Sequence, residues 1–269
     1  MGRRARVKAG VERRLGSWST GELEQMLAAA SAMPGLPARI DFISGRFLGV
    51  PYGESTLIGS PDVPEVFVIN LQAVDCFTYL DYVESMRLSR TFSEFRRHLR
   101  RLRYKSGTVA YEARHHFFTD WAASVRVQDV TGEIGREKAA AVVKTLNRKG
   151  DGGSILPGIP PVERKIVFIP ADRLDEQALD GLRTGDYIGI YAPAEGLDVS
   201  HVGICIRREN HILLRHASSL AQKVIDQDFK PYIEGKPGIV VLRPRATSEA
   251  RVRGKAPSGS AGGGGAEPH

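Results

Sequence analysis

The chain has 269 residues, a formal net charge of +7, 42% apolar and 26% charged residues. That length suits one or two domains, and the composition supports a real core rather than wholesale disorder. Its two cysteines, Cys76 and Cys205, exclude a disulfide scaffold, a zinc ribbon and an iron–sulfur centre, and no apolar run approaches the roughly 18 residues that cross a bilayer.

Residues 1–16 read as a basic, frayed and solvated arm, with Arg3, Arg4, Arg6, Lys8, Arg13 and Arg14 against one acid, Glu12. No apolar segment follows Met1–Arg14, so no signal peptide is expected as written. Ser19-Thr20-Gly21-Glu22 reads as a capping box opening a helix through Leu23, Met26 and Leu27. Met33-Pro34-Gly35 breaks it, and Pro37 sits in the first turn of a second helix running to about Phe47. Leu48 to Gly53 is a turn-rich loop, and Val66 to Leu71 a short β-rich run. Asp75 to Leu88 reads as a helix. Thr91-Phe92-Ser93-Glu94 is a second capping box, and Phe92, Phe95, Leu99 and Leu102 form an apolar stripe at helical spacing.

The second half changes character. Lys165–Ile169, Tyr187–Tyr191, His201–Arg207, Ile212–His216 and Gly238–Leu242 are β-branched or aromatic runs punctuated by Gly, Pro, Asp and Asn. Helices first and strands later argue for α+β order. Residues 147–161 read as a Gly- and Pro-rich surface loop, and 246–269 as a disordered tail. No phosphate-cradling glycine motif occurs, so nucleotide chemistry has no support.

Cys76 stands at the expected start of a helix, directly after Asp75. A helix N-terminus lowers a thiol pKa through its free N–H groups and dipole; the bland alternative is a small buried hydrophobe. A thiolate enzyme also needs a histidine held by a partner. Val199 to Ile206 alternates so that His201, Gly203 and Cys205 share a face. Ile212 to Ala217 follows after a polar turn, and the two runs should pair as an antiparallel hairpin. His201 and His216 share a face if His216 lies opposite His201 or opposite Gly203, where the missing side chain leaves room for an imidazole; a one-residue slip separates them. Cys205 lies about 13 Å along the strand from His201, too far for a hydrogen bond, and reads as core.

Several stretches together resemble a known family. Leu48-Gly49-Val50-Pro51-Tyr52, Val74-Asp75-Cys76, His201-Val202-Gly203-Ile204 and His216-Ala217-Ser218-Ser219 resemble the NlpC-type cell-wall peptidases of the papain-like fold. Arg103-Tyr104-Lys105-Ser106-Gly107, Arg114-His115-His116-Phe117 before Trp121, Gly185-Asp186 and Asp198-Val199-Ser200-His201 narrow the likeness to the N-acetylmuramoyl-L-alanine amidase-like branch, over roughly residues 40–245. The resemblance implies a papain-like α+β fold in which a nucleophile-bearing helix packs on an antiparallel β-sheet. The domain would span 17–245, with a helical insertion at about 88–126. It implies Cys76 as nucleophile, His201 as general base, His216 as the orienting residue and Tyr52 beside the oxyanion. Arg114 and His116, with Tyr104, Asp198 and Ser218, are the substrate-contact candidates. No cofactor or metal is expected, the expected partner is a peptidoglycan fragment or muropeptide rather than nucleic acid, and the family points to the cell envelope. Phe77 departs from the pattern, since compact members carry a small residue there.

Arg87, Arg90, Arg96, Arg97, Arg100, Arg101, Arg103 and Lys105, with Glu94 as the one acid, read as a solvated helix face or a surface for an anionic partner. Three other functions compete with the amidase. A zinc hydrolase would use Asp198, His201 and His216 with His115 or His116. A nonenzymatic nucleic-acid binder would use the basic segments. A papain-fold acyltransferase would share the thiol chemistry.

Overall fold

The structure, a computed structural model, describes residues 11–123, 126–209 and 211–246. Residues 1–10 of the expected arm and 247–269 of the expected tail lie outside them. The inner end of the arm is a strand: β1 (Val11–Arg14) pairs in parallel with β2 (Phe67–Asn70). α1 (Thr20–Ala32) opens on the full Ser19–Glu22 capping box. α2 (Gly35–Gly45) follows, ending two residues before Phe47.

α3 (Cys76–Arg87) is the central helix. Every residue from Thr78 to Arg87 is buried, because α1, α2 and α4 (Phe92–Arg103) surround it and the sheet covers its remaining side. The stripe Phe92, Phe95, Leu99 and Leu102 is buried as its spacing requires. The second capping box is only half formed. Thr91 accepts from the Glu94 N–H, but the Glu94 carboxylate accepts from Arg90 N–H instead of the cap.

Beyond three short 3-10 turns lie β3 (Val127–Asp129), α5 (Thr131–Gly135), β4 (Ala140–Leu146) and β5 (Val162–Pro170). Then come α6 (Glu176–Gly181), β6 (Tyr187–Tyr191), β7 (Val199–Arg208), β8 (His211–Ser218), β9 (Lys223–Asp228), α7 (Phe229–Ile233) and β10 (Gly238–Pro244). The sheet runs β4-β5-β10-β6-β7-β8-β9, antiparallel throughout, with β3 also on β10. Each expected β run is a strand. β1, β3, β4 and β9 are additional. Val202, Ile204 and Ile206 point to the α1–α4 layer, while Ile190, Cys205 and Leu214 point to the other face, against Leu179, Phe229 and Ile233. Cys205 is fully buried, as expected of core. The loop 147–161 joins β4 to β5 and is pinned by Asn147, whose amide donates to the Leu156 and Ile159 carbonyls.

Two members of the supposed solvated basic face are inside the protein. Arg87 pairs with Glu84, which also accepts from the Tyr187 hydroxyl at 2.6 Å. Arg103 donates to Asp81 at 2.7 Å and to the Val68 carbonyl at 2.6 Å, tying α4 to α3 and β2. A helix buried on all sides can carry such polar groups only if they are paired. Asp81→Ala leaves a buried guanidinium uncompensated, so we expect a loss of about 3–5 kcal/mol in urea unfolding. The double replacement Asp81→Leu with Arg103→Met should recover most of it. An unchanged midpoint in the single variant contradicts this account.

Candidate active site

Cys76 occupies the first position of α3. Its cap is Asp75, whose carboxylate accepts from the Phe77 and Thr78 N–H groups while the Thr78 hydroxyl accepts from the Asp75 N–H. The loop before it is stitched between β9 and the cap. Gly49 N–H donates to the Val224 carbonyl, Tyr52 N–H to Gln222, and Gly53 N–H to Val74. Tyr52 is thereby fixed beside the start of α3.

The β7–β8 ladder runs from Arg208↔His211 to Ile204↔Arg215 and stops there. Continuing its register puts Gly203 opposite His216, the second of the two registers that place both histidines on one face. A Cβ at Gly203 would lie 3.0 Å from the His216 Cβ and 2.7 Å from Leu214 Cδ1, so the vacant side chain is needed. The Val202 N–H, turned towards β8 by the strand's alternation, reaches the Cys76 sulfur and ties the start of α3 to β7.

His201 and His216 are diagonal neighbours, with His201 Nε2 and His216 Nδ1 hydrogen-bonded at 2.7 Å. His216 Nε2 reaches Gln227 Oε1 at 3.2 Å, diagonal again, on β9. These contacts set the tautomers. The Gln227 oxygen can only accept, so His216 carries its proton on Nε2 and accepts at Nδ1. His201 then donates from Nε2 and keeps its lone pair on Nδ1. Tyr232 of α7 packs edge-on against His216, with ring centroids 5.2 Å apart, and lies 6.4 Å from His201. The Lys236 ammonium sits 5.5 Å from the Tyr232 ring centre.

Burial outweighs the helix terminus at the thiol. Desolvation, then the Asp75 charge, push Cys76 up to about 11, against the N–H groups of Val202, Cys76 and Phe77. The sequence-based expectation of a lowered thiol pKa is corrected here: the terminus is present, but too little water is. Burial, then His216 and Lys236, hold His201 down to about 3. The resting pair is a neutral thiol and a neutral imidazole. No hydrogen bond joins Cys76 to His201 among the described residues. Tyr52 and Tyr232 both lie within electrostatic reach of the sulfur. Burial first, then Cys76, raises each phenol, Tyr232 to about 12.

The substrate-contact candidates divide among three sets of contacts. Tyr104 donates its hydroxyl to Glu65 at 2.7 Å, and Arg114 forms an ion pair with the same carboxylate. His116 Nε2 lies 2.9 Å from the Tyr111 carbonyl. Asp198 is buried and accepts from the Thr119 N–H, the Thr119 hydroxyl and its neighbour Val199 N–H, each at 2.8 Å. It clasps the 118–123 turn to the start of β7. Ser218 is buried and caps the next turn by accepting from Ala221 N–H. His115 lies against the Leu102 carbonyl, and among the described residues no group of three His, Cys, Asp or Glu is placed to hold a metal. Phe77 packs on Trp121, ring centres 5.7 Å apart, so the helical insertion takes up its bulk. Sequence reading missed Gln227, Tyr232 and Lys236. β9 is a polar edge strand and α7 a five-residue helix, neither of which leaves a periodic signal.

A helix that opens on a thiol and packs on an antiparallel sheet, with two hydrogen-bonded histidines on that sheet, defines an α+β protein. The profile of the AmiA-like family, described as N-acetylmuramoyl-L-alanine amidase-like, matches residues 42–239, and the chain belongs to that family. No helix is long and apolar enough to cross a membrane among the described residues. A Legionella pneumophila protein of family DUF1460 shares the fold, with a TM-score of 0.73 over 84% of this chain and 94% of its own, at 20% identity. An N-acetylmuramoyl-L-alanine amidase from Bacteroides uniformis is 27% identical, with a TM-score of 0.65 over 77% of this chain and 99% of its own. A putative xylanase from Bacteroides fragilis is 28% identical, with a TM-score of 0.62 over 74% and 98%. No curated protein matches the chain.

The ionisation state is measurable without any substrate. Alkylation of Cys76 by iodoacetamide follows the thiolate. Its rate should be low at neutral pH and climb towards pH 11, with Cys205 unreactive in the folded protein. Rapid labelling at pH 6 would mean a thiolate–imidazolium pair and overturn the neutral assignment.

Proposed function

We propose that the protein is a cysteine amidase of papain-like, NlpC-type architecture. It hydrolyses an amide bond of peptidoglycan, at the N-acetylmuramoyl–L-alanine junction or within the stem peptide. The observation that carries this reading is the Val202 N–H on the Cys76 sulfur, which brings the thiol to the residue next to His201, whose Nε2 is held by His216 and through it by Gln227. Membership of an amidase-like family supports the bond type.

His201 Nδ1 takes the thiol proton as the sulfur attacks the amide carbonyl. With the thiol high and the imidazole low, this transfer is uphill at rest, so it accompanies attack rather than preceding it. Contacts of this kind commonly tighten only when substrate is bound. The Cys76 N–H and the Tyr52 hydroxyl face the developing oxyanion. The tetrahedral species collapses with C–N cleavage, the His201 imidazolium protonates the departing amine, and a thioester remains. Water, deprotonated by His201, attacks the thioester and releases the carboxylic acid and the Cys76 thiol. A glycosidase, as the name of the Bacteroides fragilis relative would suggest, needs two carboxyl groups flanking the scissile bond. Here the carboxylate beside the thiol is Asp75, and it is committed to the helix cap.

Mass spectrometry of defined muropeptides tests the reading. Wild type should release the peptide or amino acid from the scissile amide. Cys76→Ala and His201→Gln should each lose at least about a thousandfold in kcat/KM, as removal of a nucleophile or base does. His216→Ala should lose less, about 10- to 100-fold, as loss of an orienting partner does. Cleavage retained in Cys76→Ala, or none by wild type on any peptidoglycan fragment, sinks it.

The depressed His201 pKa has a sign. An imidazole held neutral below the ordinary value of about 6.5 keeps its base function into acid. The acid limb of kcat/KM should therefore fall well below pH 6, and Lys236→Met, by removing a cation, should move it upward. Stability should also decline as pH falls from about 6.5 towards 3, since the unfolded chain gains a proton there that the folded site refuses. His201→Gln should flatten that decline.

A further inference from the structure

Away from the site, α4 and the β1–β2 pair enclose a groove of about 390 Å³. Arg96, Arg97 and Arg100 line one wall, and Val11, Phe67 and Val109 supply an apolar floor. The cations are poorly neutralised. Arg97 is 3.8 Å from Glu94 and 47% exposed at its side chain, and Arg96 and Arg100 have no carboxylate partner among the described residues. The Arg96 Nε is enclosed and meets no acceptor, although an enclosed donor normally has one. Arg13 adds a further cation at the same edge, over the Phe92 ring at 5.7 Å. In the sequence Val11 follows Arg3, Arg4, Arg6 and Lys8.

We propose that this groove binds a linear phosphodiester polymer that carries no bases, each phosphate being gripped by the guanidinium groups of Arg96, Arg97 and Arg100. Guanidinium forks match phosphate oxygens two at a time. The spacing of the three along one helix face suits successive charges on a chain better than one isolated anion, and the apolar floor suits the carbon backbone of a polyol. Base-bearing strands need aromatic platforms for stacking. None is offered, since Phe67 is buried and no aromatic ring is among the exposed large apolar residues described. The proposal does not depend on Cys76, so it stands or falls separately from the amidase reading.

The test is calorimetric titration of the full chain with poly(glycerol phosphate) of about ten units, over a series of salt concentrations. Wild type should bind, with affinity falling as salt rises, by about 0.7 in log–log slope per phosphate contact as for flexible single strands. R96Q/R97Q/R100Q should bind at least about tenfold more weakly, with the slope reduced by about two. K149Q/K165Q/R183Q, which removes the same charge from exposed positions elsewhere, should bind like wild type, and matched melting curves would show both variants folded. Equal loss in the two triple variants would reduce the effect to net charge. No binding by wild type would remove the site. A decanucleotide of single-stranded DNA binding as tightly as the polyol polymer would assign the groove to nucleic acid.

Discussion

The pairing of Ile204 with Arg215 is the constraint on which the site depends. It fixes the register of β7 against β8, and in a structure of period two that choice decides which side chains share a face. From it follow the position of Gly203 opposite His216, the diagonal reach from His201 to His216, and, through β9, the reach from His216 to Gln227. Arg215 itself is held from both sides. Its guanidinium meets Asp226 of β9 at 2.6 and 2.8 Å and Asp41 of α2 at 3.0 Å, so the helical layer and the sheet edge lock the same residue. Gly45 lies close against that guanidinium and leads into the loop that carries Tyr52. One ion-pair cluster thus positions two walls of the site.

The electrostatic character follows from the same packing. A helix N-terminus favours a thiolate only where water or a cation completes the stabilisation. Cys76 instead is buried, next to the charge of its own cap. Asp75 is needed to start α3, and α3 must start there to bring the sulfur to the Val202 amide. The cap that places the thiol therefore also opposes its ionisation. The His201 imidazole, for its part, is buried beside a second imidazole and near Lys236. Both groups are thereby held neutral.

The legible parts of the sequence were those with a local signal. The Ser19 box, the Phe92–Leu102 stripe and the Tyr187–Tyr191 run each read correctly because capping and periodicity act over a few residues. His201 and His216 could be brought together on paper, since one alternating strand and one hairpin suffice, whereas Cys76 joined them only through the family resemblance. β4 was not legible: Ala140-Ala141-Val142-Val143 has no alternation, and its strand exists because β5 pairs with it across a long loop. Gln227 was hidden for a similar reason, as a polar residue on a strand that borders solvent. Arg87 and Arg103 were sorted wrongly with the exposed arginines. Charge in a sequence does not say whether a partner waits on another element, and Glu84 and Asp81 become partners only when α3 is enclosed.

That sorting of arginines also bears on how the fold spends its positive charge. The arginines at the two ends of the 87–103 stretch are buried anchors that tie α3, α4 and β2 together. Those between them fall into two sets by helical phase. Arg96, Arg97 and Arg100 turn to the β1–β2 side, where Arg13 adds a further cation and where, among the described residues, neither Arg96 nor Arg100 has a carboxylate partner. A helix stabilised by its apolar stripe alone could carry any polar residues on that side, and mixed charge would stabilise it better through pairs three and four apart. Like charges at 96 and 100 instead repel one another by a few tenths of a kcal/mol. The groove therefore carries a small, avoidable cost to the helix, and a bound anion is the arrangement that turns that cost into an attraction.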